Sequence, residues 1–498
     1  EPSILGRNVS GMFPWTHGLA EIFRRAGGNA ANLAALFDGR ENDDTRLYHK
    51  LLLQREGEVY YGTLSRWCEA HGIGLMGHPH QSDDIEVEKY FAVPGQDLVL
   101  RWLAPEKDGL AGIDSTMGKC SADAARLMHR RRNANECFGA CNKDDNPWQL
   151  SGGDIKWYTD WLAVRGVNLF IPHAFYYSIC GKRKDERPPD VGPHSIWWVH
   201  YEAWSTYWRR LSWLMTDIDL HAKVAVLCRN RDLCPDTVHP LFERQIGFQY
   251  IPESYFPACT VEDGALCLHG HRYTAVLGDK ALFPDAAHPE VSALEPDCCC
   301  DPPQPMLRCA SFNKEGRACW LLVNEGNTLI RTQLTLPVDA PLCRCDLWNG
   351  QPCACPAEHT AKGACLPLEL PARGSLLLFT CTAQETETLP LPPTYLSLPV
   401  PDFILVEEDA ARAAKTYRAV LQVAAADIEA ATPLLTLRGQ EMAELTVNGQ
   451  PAGVSFWQPH KFPLAGLLTP GENTLTLTLT GSPANRYGKH PVPYGLER

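Results

Sequence analysis

The sequence predicts an α/β fold followed by all-β domains: part of a (β/α)8 TIM barrel, a small α/β segment and two β-sandwiches. Residues 1–215 alternate helical patterns with short apolar strand patterns, which is typical of a parallel sheet. Residues 306–383 and 403–495 instead alternate apolar and polar side chains between turn motifs. The 498 residues also exceed what one hydrophobic core usually holds. These observations predict four domains, at 1–215, 216–300, 301–390 and 391–498.

The first 215 residues contain strand patterns for only half of a barrel. The predicted strands are 73–80, 97–102, 133–139 and 167–174. The predicted helices are 15–25, 45–70, 82–90, 121–131, 153–165 and 196–215. A closed barrel needs eight strands, so either its first half precedes residue 1 or the sheet is open. In such parallel sheets the carboxyl ends of the strands carry the chemistry.

The rest of the chain has shorter strand patterns. Residues 222–227 and 273–277 predict buried strands of a small, flavodoxin-like α/β domain, and 286–305, rich in Pro, Asp and Cys, predict a linker. In the sandwiches, Asn349-Gly350 and Asn448-Gly449 predict hairpin turns. The predicted strands there include 318–323, 329–336 and 474–480.

Composition excludes two classes of function. The formal net charge of −13 argues against a nucleic-acid binder, which needs a basic surface. The sequence contains no run of about 18 apolar residues, so a membrane span is not expected.

The twenty cysteines include a run at 298–300 that cannot make three independent disulfides, which favours reduced thiols and a cytoplasmic location. The chain begins Glu1-Pro2-Ser3 with neither Met nor a leader, so we expect either a removed leader or a start within a longer protein.

Polar residues at the predicted strand ends are the candidate site. Glu136 is the strongest, because glycosidases place two carboxylates across the bond to be cleaved and a strand end is where such a group belongs. A neighbouring Asn can bond a sugar hydroxyl, and the charged loop 181–187 is a candidate rim of the cleft. The predicted substrate-binding residues are His78, His80, Arg101, Asn135, His173, Tyr176, Arg183 and Asp185.

Metal binding is the alternative interpretation of the histidines. Alternate residues of a strand point to one side, so His78 and His80 could ligate one ion, with Asp83 and Asp84 nearby. The paired CxC motifs at 343–345 and 353–355 could bind zinc, although reduced strand cysteines explain them equally. No phosphate-binding Gly loop, GxSxG elbow or HExxH motif occurs, which disfavours nucleotide hydrolases, serine hydrolases and zinc proteases.

The stretch 119–140, containing Asn135-Glu136-Cys137-Phe138-Gly139, resembles the bacterial α-L-rhamnosidase-type glycoside hydrolases of family 106. The resemblance covers residues 1–260 well. It continues in Lys156-Trp-Tyr-Thr-Asp-Trp161, Arg165-Gly-Val-Asn168, Pro172-His173-Ala-Phe-Tyr-Tyr-Ser178, Trp197-Trp198 and 207–212.

The resemblance implies two catalytic carboxylates. In barrels of this type a strand ending Asp-Glu-Pro precedes a Pro-Trp-Thr turn, and here Glu1-Pro2 precedes Pro14-Trp15-Thr16. Glu1 would then close the fourth strand as general acid, and Glu136 the seventh as base or nucleophile. Some members use calcium, but no ligand set stands out, so neither a metal site nor another cofactor is predicted and calcium stays open.

Residues 445–473, with Asn448-Gly449 and Trp457-Gln-Pro459, resemble the galactose-binding-like, jelly-roll sugar-binding domain of β-galactosidase-type enzymes. The expected activity is hydrolysis of a plant or microbial glycan, with an oligosaccharide or glycoside as substrate. The alternatives are a non-catalytic carbohydrate-binding protein, another barrel glycosidase such as a β-galactosidase-type enzyme, and a metal-dependent hydrolase.

Overall fold

A computed structural model describes residues 12–139, 141, 146, 148–185 and 191–497, apart from the side chains of Asp185 and Ala430. The predicted catalytic residue Glu1 lies outside this part. The first region holds four short parallel strands, each paired with the next, in the order β1-β2-β3-β4. They are β1 Met76–Gly77, β2 Val93–Asp97, β3 Ala134–Cys137 and β4 Phe170–Pro172. Its helices are α1 Leu19–Arg25, α2 Asp43–Glu56, α3 Gly62–Ala70, α4 Cys120–Leu127, α5 Gly152–Ala163 and α6 Tyr201–Leu214.

This parallel sheet fits part of a barrel, as predicted, but a closed eight-stranded barrel is not seen in the described residues. The long helix predicted at 45–70 is confirmed as α2 and α3, joined by a π-helical segment at Gly57–Tyr61. The helix predicted at 121–131 is confirmed as α4, and α5 and α6 correspond to the other two long predictions.

Two predictions around β2 are wrong. The strand predicted at 97–102 lies at Val93–Asp97, and a 3₁₀ helix follows at Leu100–Leu103; the helix predicted at 82–90 is mostly turns, with a 3₁₀ turn at Glu88–Tyr90. The pair Pro94-Gly95, a dipeptide typical of turns, lies inside the strand. A Cβ on Gly95 would come 2.5 Å from the carbonyl oxygen of Gly77, so glycine allows β1 and β2 to approach.

Helix α5 is buried along its whole length, from Gly152 to Ala163. Its N-terminus is capped by Ser151, whose hydroxyl accepts from the Asp154 N–H while the Asp154 side chain accepts from the Ser151 N–H. Trp157 Nε1 donates to the carbonyl oxygen of Glu325, and Gly152 lies against Phe456. The helix therefore joins the half-barrel sheet to both β-rich regions.

The middle region is a small α/β unit. Its elements are β5 Asp219–Leu220, β6 Val224–Cys228, α7 Pro235–Glu243, β7 Phe248–Pro252, β8 Thr260–Glu262, β9 Ala265–Leu268, β10 His271–Tyr273 and β11 Ala275–Leu277. Three of the strands form a parallel sheet in the order β11-β6-β7, which packs against α7. A three-stranded antiparallel sheet, β10-β9-β8, lies beside it.

Two pairs of sheets, together with a small two-stranded sheet formed by Gly439–Gln440 and Gly495–Leu496, make up the rest. The first pair is β12-β15-β19-β18 with β17-β16-β20-β14-β13-β5, and the second is β21-β24-β28 with β22-β23-β29-β26-β27. The hairpin turns predicted at Asn349-Gly350 and Asn448-Gly449 are confirmed. The elements of the first pair are β12 Cys299–Asp301, β13 Leu307–Lys314, β14 Arg317–Asn324, β15 Ile330–Leu336, β16 Leu342–Asp346, β17 Gln351–Cys355, β18 Glu358–Thr360, β19 Gly363–Leu370, β20 Ser375–Thr380 and α8 Ala383–Thr388. Those that follow are β21 Tyr395–Ser397, β22 Ile404–Asp409, β23 Ala414–Val423, α9 Ala425–Ala430, β24 Thr432–Leu437, β25 Gly439–Gln440, β26 Met442–Val447, β27 Gln450–Ser455, β28 His460–Pro463, β29 Gly471–Thr480, α10 Ala484–Tyr487 and β30 Gly495–Leu496.

Strand β5 pairs with β13 and so extends a sheet of the first sandwich. The four domain limits stay predictions. Within the described residues, every helix is too short or too polar to cross a bilayer.

Candidate active site

The register of β2, β3 and β4 brings three positions to one edge of the sheet. Asp97 is the partner of Glu136, and Glu136 is the partner of Ile171. The preceding pair, Gln96 and Asn135, has the opposite orientation, because side chains alternate along a strand. Asp97 and Glu136 therefore lie on one face at the carboxyl ends of their strands, where parallel sheets place their reactive groups.

The Glu136 carboxylate is held between two histidines. His78, which follows β1, has its Nε2 3.5 Å from Oε2 of Glu136. His173, which follows β4, has its Nε2 3.8 Å from Oε1. The side chain of Glu136 keeps 32% of its surface exposed, against 16% for His78 and 21% for His173. A carboxylate in this position is oriented by its neighbours and still accessible to a ligand.

Charge around His78 favours its protonated form. Burial by itself lowers the pKa of His78, but the hydrogen bond with Glu136, the carbonyl oxygen of Pro79 at 2.8 Å from Nδ1 and the charge of Asp97 together raise this pKa above its ordinary value. A cationic imidazole in turn favours an ionised carboxylate beside it. Glu136 therefore has a partner of opposite charge in His78 and a second carboxylate, Asp97, close by.

The turn after β3 brings His173 close. The His173 N–H donates to the carbonyl oxygen of Cys137 at 2.7 Å, which continues the β3–β4 pairing. A Cβ on Gly139 would lie 3.3 Å from the His173 ring, so a larger residue would push on the imidazole. Phe138, which precedes Gly139, has φ 74°, a left-handed backbone conformation that is strained for residues other than glycine. Its buried ring packs on Tyr158 and Trp208, which offsets this strain.

Three side chains are close enough to hold a cation. Donor atoms of His78, Asp97 and Glu136 all lie within 4.8 Å of one another. Imidazole and carboxylate are ligands that suit zinc or another transition metal better than calcium. His80 and His173 do not belong to this group. Of the two histidines that the sequence suggests as metal ligands, the group therefore contains His78 but not His80.

The structure brings together some of the predicted site residues. Besides His78, His173 and Glu136, Tyr176 is close, with its ring 6.1 Å from that of His173, and His80 is part-buried in the loop after β1. Arg183 is exposed in the 3₁₀ helix Gly181–Asp185, and the Asp185 side chain lies outside the described part.

Asn135 and Arg101 are directed away from Glu136. The Asn135 side chain is fully buried and donates to the Tyr158 hydroxyl at 2.9 Å. Arg101 does not end a strand; it contacts Glu106 at 2.9 Å and Asp154 at 3.1 Å. Both contacts have a structural explanation, since Asn135 faces α5 and Arg101 pairs with Asp154 in the first turn of α5.

Asp97 is the site residue that the sequence analysis missed. Its neighbour Gln96 is buried and accepts from the Ser121 hydroxyl at 2.9 Å, which fixes the orientation of the strand end. The sequence predicts this strand at 97–102, which makes Asp97 its first residue. In the structure Asp97 is the last residue of the strand, at the carboxyl end where a site residue is expected. The available signal was Asp97 itself, a carboxylate two residues after Pro94-Gly95, but this pair is more typical of a turn than of a strand interior.

Comparisons with known proteins support the fold. No protein-family model and no curated protein matches the chain. The structure of a rhamnosidase from Novosphingobium sp. PP1Y is similar, with a TM-score of 0.68 at 14% identity, over 95% of this chain and 56% of that one. A β-galactosidase from Bacillus circulans sp. alkalophilus has a TM-score of 0.41 at 12% identity, over 68% of this chain and 67% of the other. Only the first similarity is strong enough to argue from.

The chain therefore has a fold of the kind found in glycoside hydrolases, without membership of a particular family being shown. It spans 56% of the length of the rhamnosidase that it resembles.

Proposed function

We propose that this chain is part of a glycoside hydrolase that acts on a plant or microbial glycan in the manner of an α-L-rhamnosidase, with Glu1 and Glu136 as its two carboxylates. The observation that carries the proposal is the position of Glu136, accessible at the carboxyl end of β3 and flanked by His78 and His173. The rhamnosidase with a similar fold supports the class of reaction.

The surroundings of Glu136 suit one half of the chemistry. Glycoside hydrolysis passes through a sugar cation, which a carboxylate stabilises by attacking the anomeric carbon or by activating water. His78, whose pKa is raised beside Glu136, offers this carboxylate a positive partner, and Tyr176 offers an aromatic face beside His173 for a sugar ring. Glu1 would protonate the departing oxygen. A carboxyl separation of about 5–5.5 Å would give retention and about 6.5–9.5 Å inversion.

The test is hydrolysis of p-nitrophenyl glycosides, beginning with the α-L-rhamnopyranoside and the β-D-galactopyranoside, by the full-length gene product. Glu136→Gln should abolish release of nitrophenol, because the amide is uncharged and cannot act as a nucleophile or base. Glu262→Gln, which alters an exposed carboxylate in β8, is the matched control and should retain activity.

Circular dichroism in the near ultraviolet should show the same fold for both variants. Unchanged turnover in Glu136→Gln would overturn the catalytic assignment. Glycoside binding without turnover in the unaltered protein would favour the non-catalytic carbohydrate-binding protein instead.

The second candidate is a metal-dependent hydrolase, favoured by the three donors within 4.8 Å in His78, Asp97 and Glu136. Such a site would activate water or polarise the substrate. Activity lost in EDTA and restored by Zn²⁺ would support this alternative, whereas activity unaffected by EDTA would remove it.

A further inference from the structure

Two thiols of the first sandwich are in direct contact. Cys343 lies in β16, Cys381 follows the end of β20, and their Sγ atoms are 2.7 Å apart. All twenty cysteines lie in the described part of the chain and carry free thiols in the structure. A disulfide bond is about 2.0 Å long, so this pair needs only a small approach of the sulfur atoms to form one.

The pairing of β16 with β20 places the two cysteines on the same face of the sheet. In the antiparallel pairing of β16 with β20, Cys343 is opposite Phe379, and the Cys381 N–H donates to the carbonyl oxygen of Pro341 at 2.9 Å. Cys343 and Cys381 are thus diagonal neighbours on one face of paired strands, within reach of each other. The main chain of Cys381 is bonded to Pro341, two residues before Cys343, and the two side chains bridge the remaining diagonal, with their sulfur atoms already in contact.

We propose that Cys343 and Cys381 are a redox-modified pair that forms an intramolecular disulfide when the protein meets a disulfide oxidant such as oxidised glutathione. Cys381 is the more accessible thiol, with 9% of its surface exposed against none for Cys343. Burial raises the pKa of Cys343 to about 12, so at neutral pH it stays a thiol until a base takes its proton.

The exchange has two steps. The Cys381 thiolate attacks one sulfur of oxidised glutathione, which forms a mixed disulfide and releases one glutathione thiolate. Cys343 then gives its proton to the glutathione thiolate released in the first step. Its sulfur attacks the Cys381 sulfur of the mixed disulfide and displaces the other glutathione as a thiolate, which takes up a proton from water. Two protein thiols are oxidised to one disulfide, and one oxidised glutathione is reduced to two glutathione molecules.

The disulfide would fasten a hairpin that contacts the first region. The turn between β16 and β17 carries Trp348, whose ring centroid lies 5.1 Å from that of Trp204 in α6 and 4.8 Å from that of Trp457. Linking β16 to β20 removes freedom from the unfolded chain over a separation of 38 residues. We therefore expect oxidation to raise the melting temperature of this sandwich by several degrees.

The test uses the whole chain, incubated with oxidised or reduced glutathione and then alkylated with iodoacetamide in denaturant. Peptide mass mapping after oxidation should show a Cys343–Cys381 linked peptide that dithiothreitol removes. Cys343→Ser and Cys381→Ser should each lose it. Cys345→Ser, in the same strand, should retain it, because the Cys345 thiol donates to its neighbouring carbonyl group at Asp346 instead.

Two outcomes of the mass mapping would overturn the proposal. If both residues are alkylated in oxidised protein whose circular dichroism shows the native fold, or if Cys343 and Cys381 link only to other cysteines, the proposal is wrong. A linked peptide with no change in melting temperature would overturn the effect on the sandwich. Neither outcome depends on the proposed hydrolase activity.

Discussion

Replacement of Glu325 by glutamine should destabilise the junction between the half-barrel and the first sandwich. The Glu325 carboxylate is fully buried between two arginines: Oε1 lies 2.5 Å from Nη1 of Arg165, and Oε2 lies 2.9 Å from Nε of Arg308. Both guanidinium groups are also buried, at 0% and 1% side-chain exposure. Arg165 follows α5, so this one carboxylate holds α5 against β13 and the turn after β14.

The magnitude follows from which charges remain. Glu325→Gln keeps the volume and one acceptor oxygen, but leaves two buried positive charges without a counter-charge. Removing one partner of a buried ion pair costs about 3–5 kcal/mol, because the remaining charge has lost its hydration as well as its partner. Here two cations are left, so we expect a loss of at least about 3 kcal/mol, a large part of the 5–15 kcal/mol that usually stabilises a domain.

The assay is urea unfolding, followed by tryptophan fluorescence because Trp157 and Trp161 lie on α5. The matched control is Glu369→Gln, which breaks the exposed pair between Glu369 and Arg331, 2.8 Å apart and 65–70% exposed. That variant should lose less than about 1 kcal/mol. Equal midpoints for the two variants would refute the reasoning that burial makes the Glu325 charge indispensable.

Two further predictions concern the site and the pH dependence of stability. Gly139→Ala should reduce turnover about tenfold with little loss of stability, because the added Cβ would press on the His173 ring at 3.3 Å. Steady-state kinetics on an aryl glycoside that the protein hydrolyses would measure this reduction, and unchanged turnover would contradict the prediction. Asp297 is buried, which raises its pKa to about 7 despite the Gly247 N–H that it accepts. This carboxyl group ionises in the unfolded chain at a lower pH than in the folded protein, so it lowers the free energy of unfolding as pH rises from about 4 to about 7, by at most about 4 kcal/mol. Asp297→Asn should make this decrease in stability smaller, as measured by thermal unfolding at each pH. An unaltered pH dependence would contradict the assignment to Asp297.

Local patterns predicted the elements well where one signal dominated. The helix at 45–70 has the apolar spacing of an amphipathic helix, and the two Asn-Gly turns use positive φ, at Gly350 in the first and at both Asn448 and Gly449 in the second. The error at β2 has a physical cause as well. Pro94-Gly95 normally ends a strand, but here the glycine is required by the approach of Gly77, a contact that no local pattern contains.

Part of the candidate site could have been predicted more sharply. Side chains alternate along a strand, so Asn135 and Glu136 cannot both face one cleft, and only the second lies beside His78 and His173. The pairing of Asp97 with Glu136 was out of reach, because register between strands depends on tertiary packing. The same holds for Arg165 and Glu325, which are 160 residues apart in the chain.

The position of Glu136 depends on helix α5 through its neighbour Asn135. Asn135 holds the end of β3 by donating to the Tyr158 hydroxyl, which itself donates to the carbonyl oxygen of Leu98 beyond β2. Tyr158 can bridge the two strand ends only while α5 stays in place. Because α5 is fixed by the contacts of Trp157 and Arg165 with Glu325, the first sandwich contributes to the geometry of the site from the far side of the sheet. The β-rich region is thus part of the support of the candidate active site, in addition to any role that its own surface has in binding sugar.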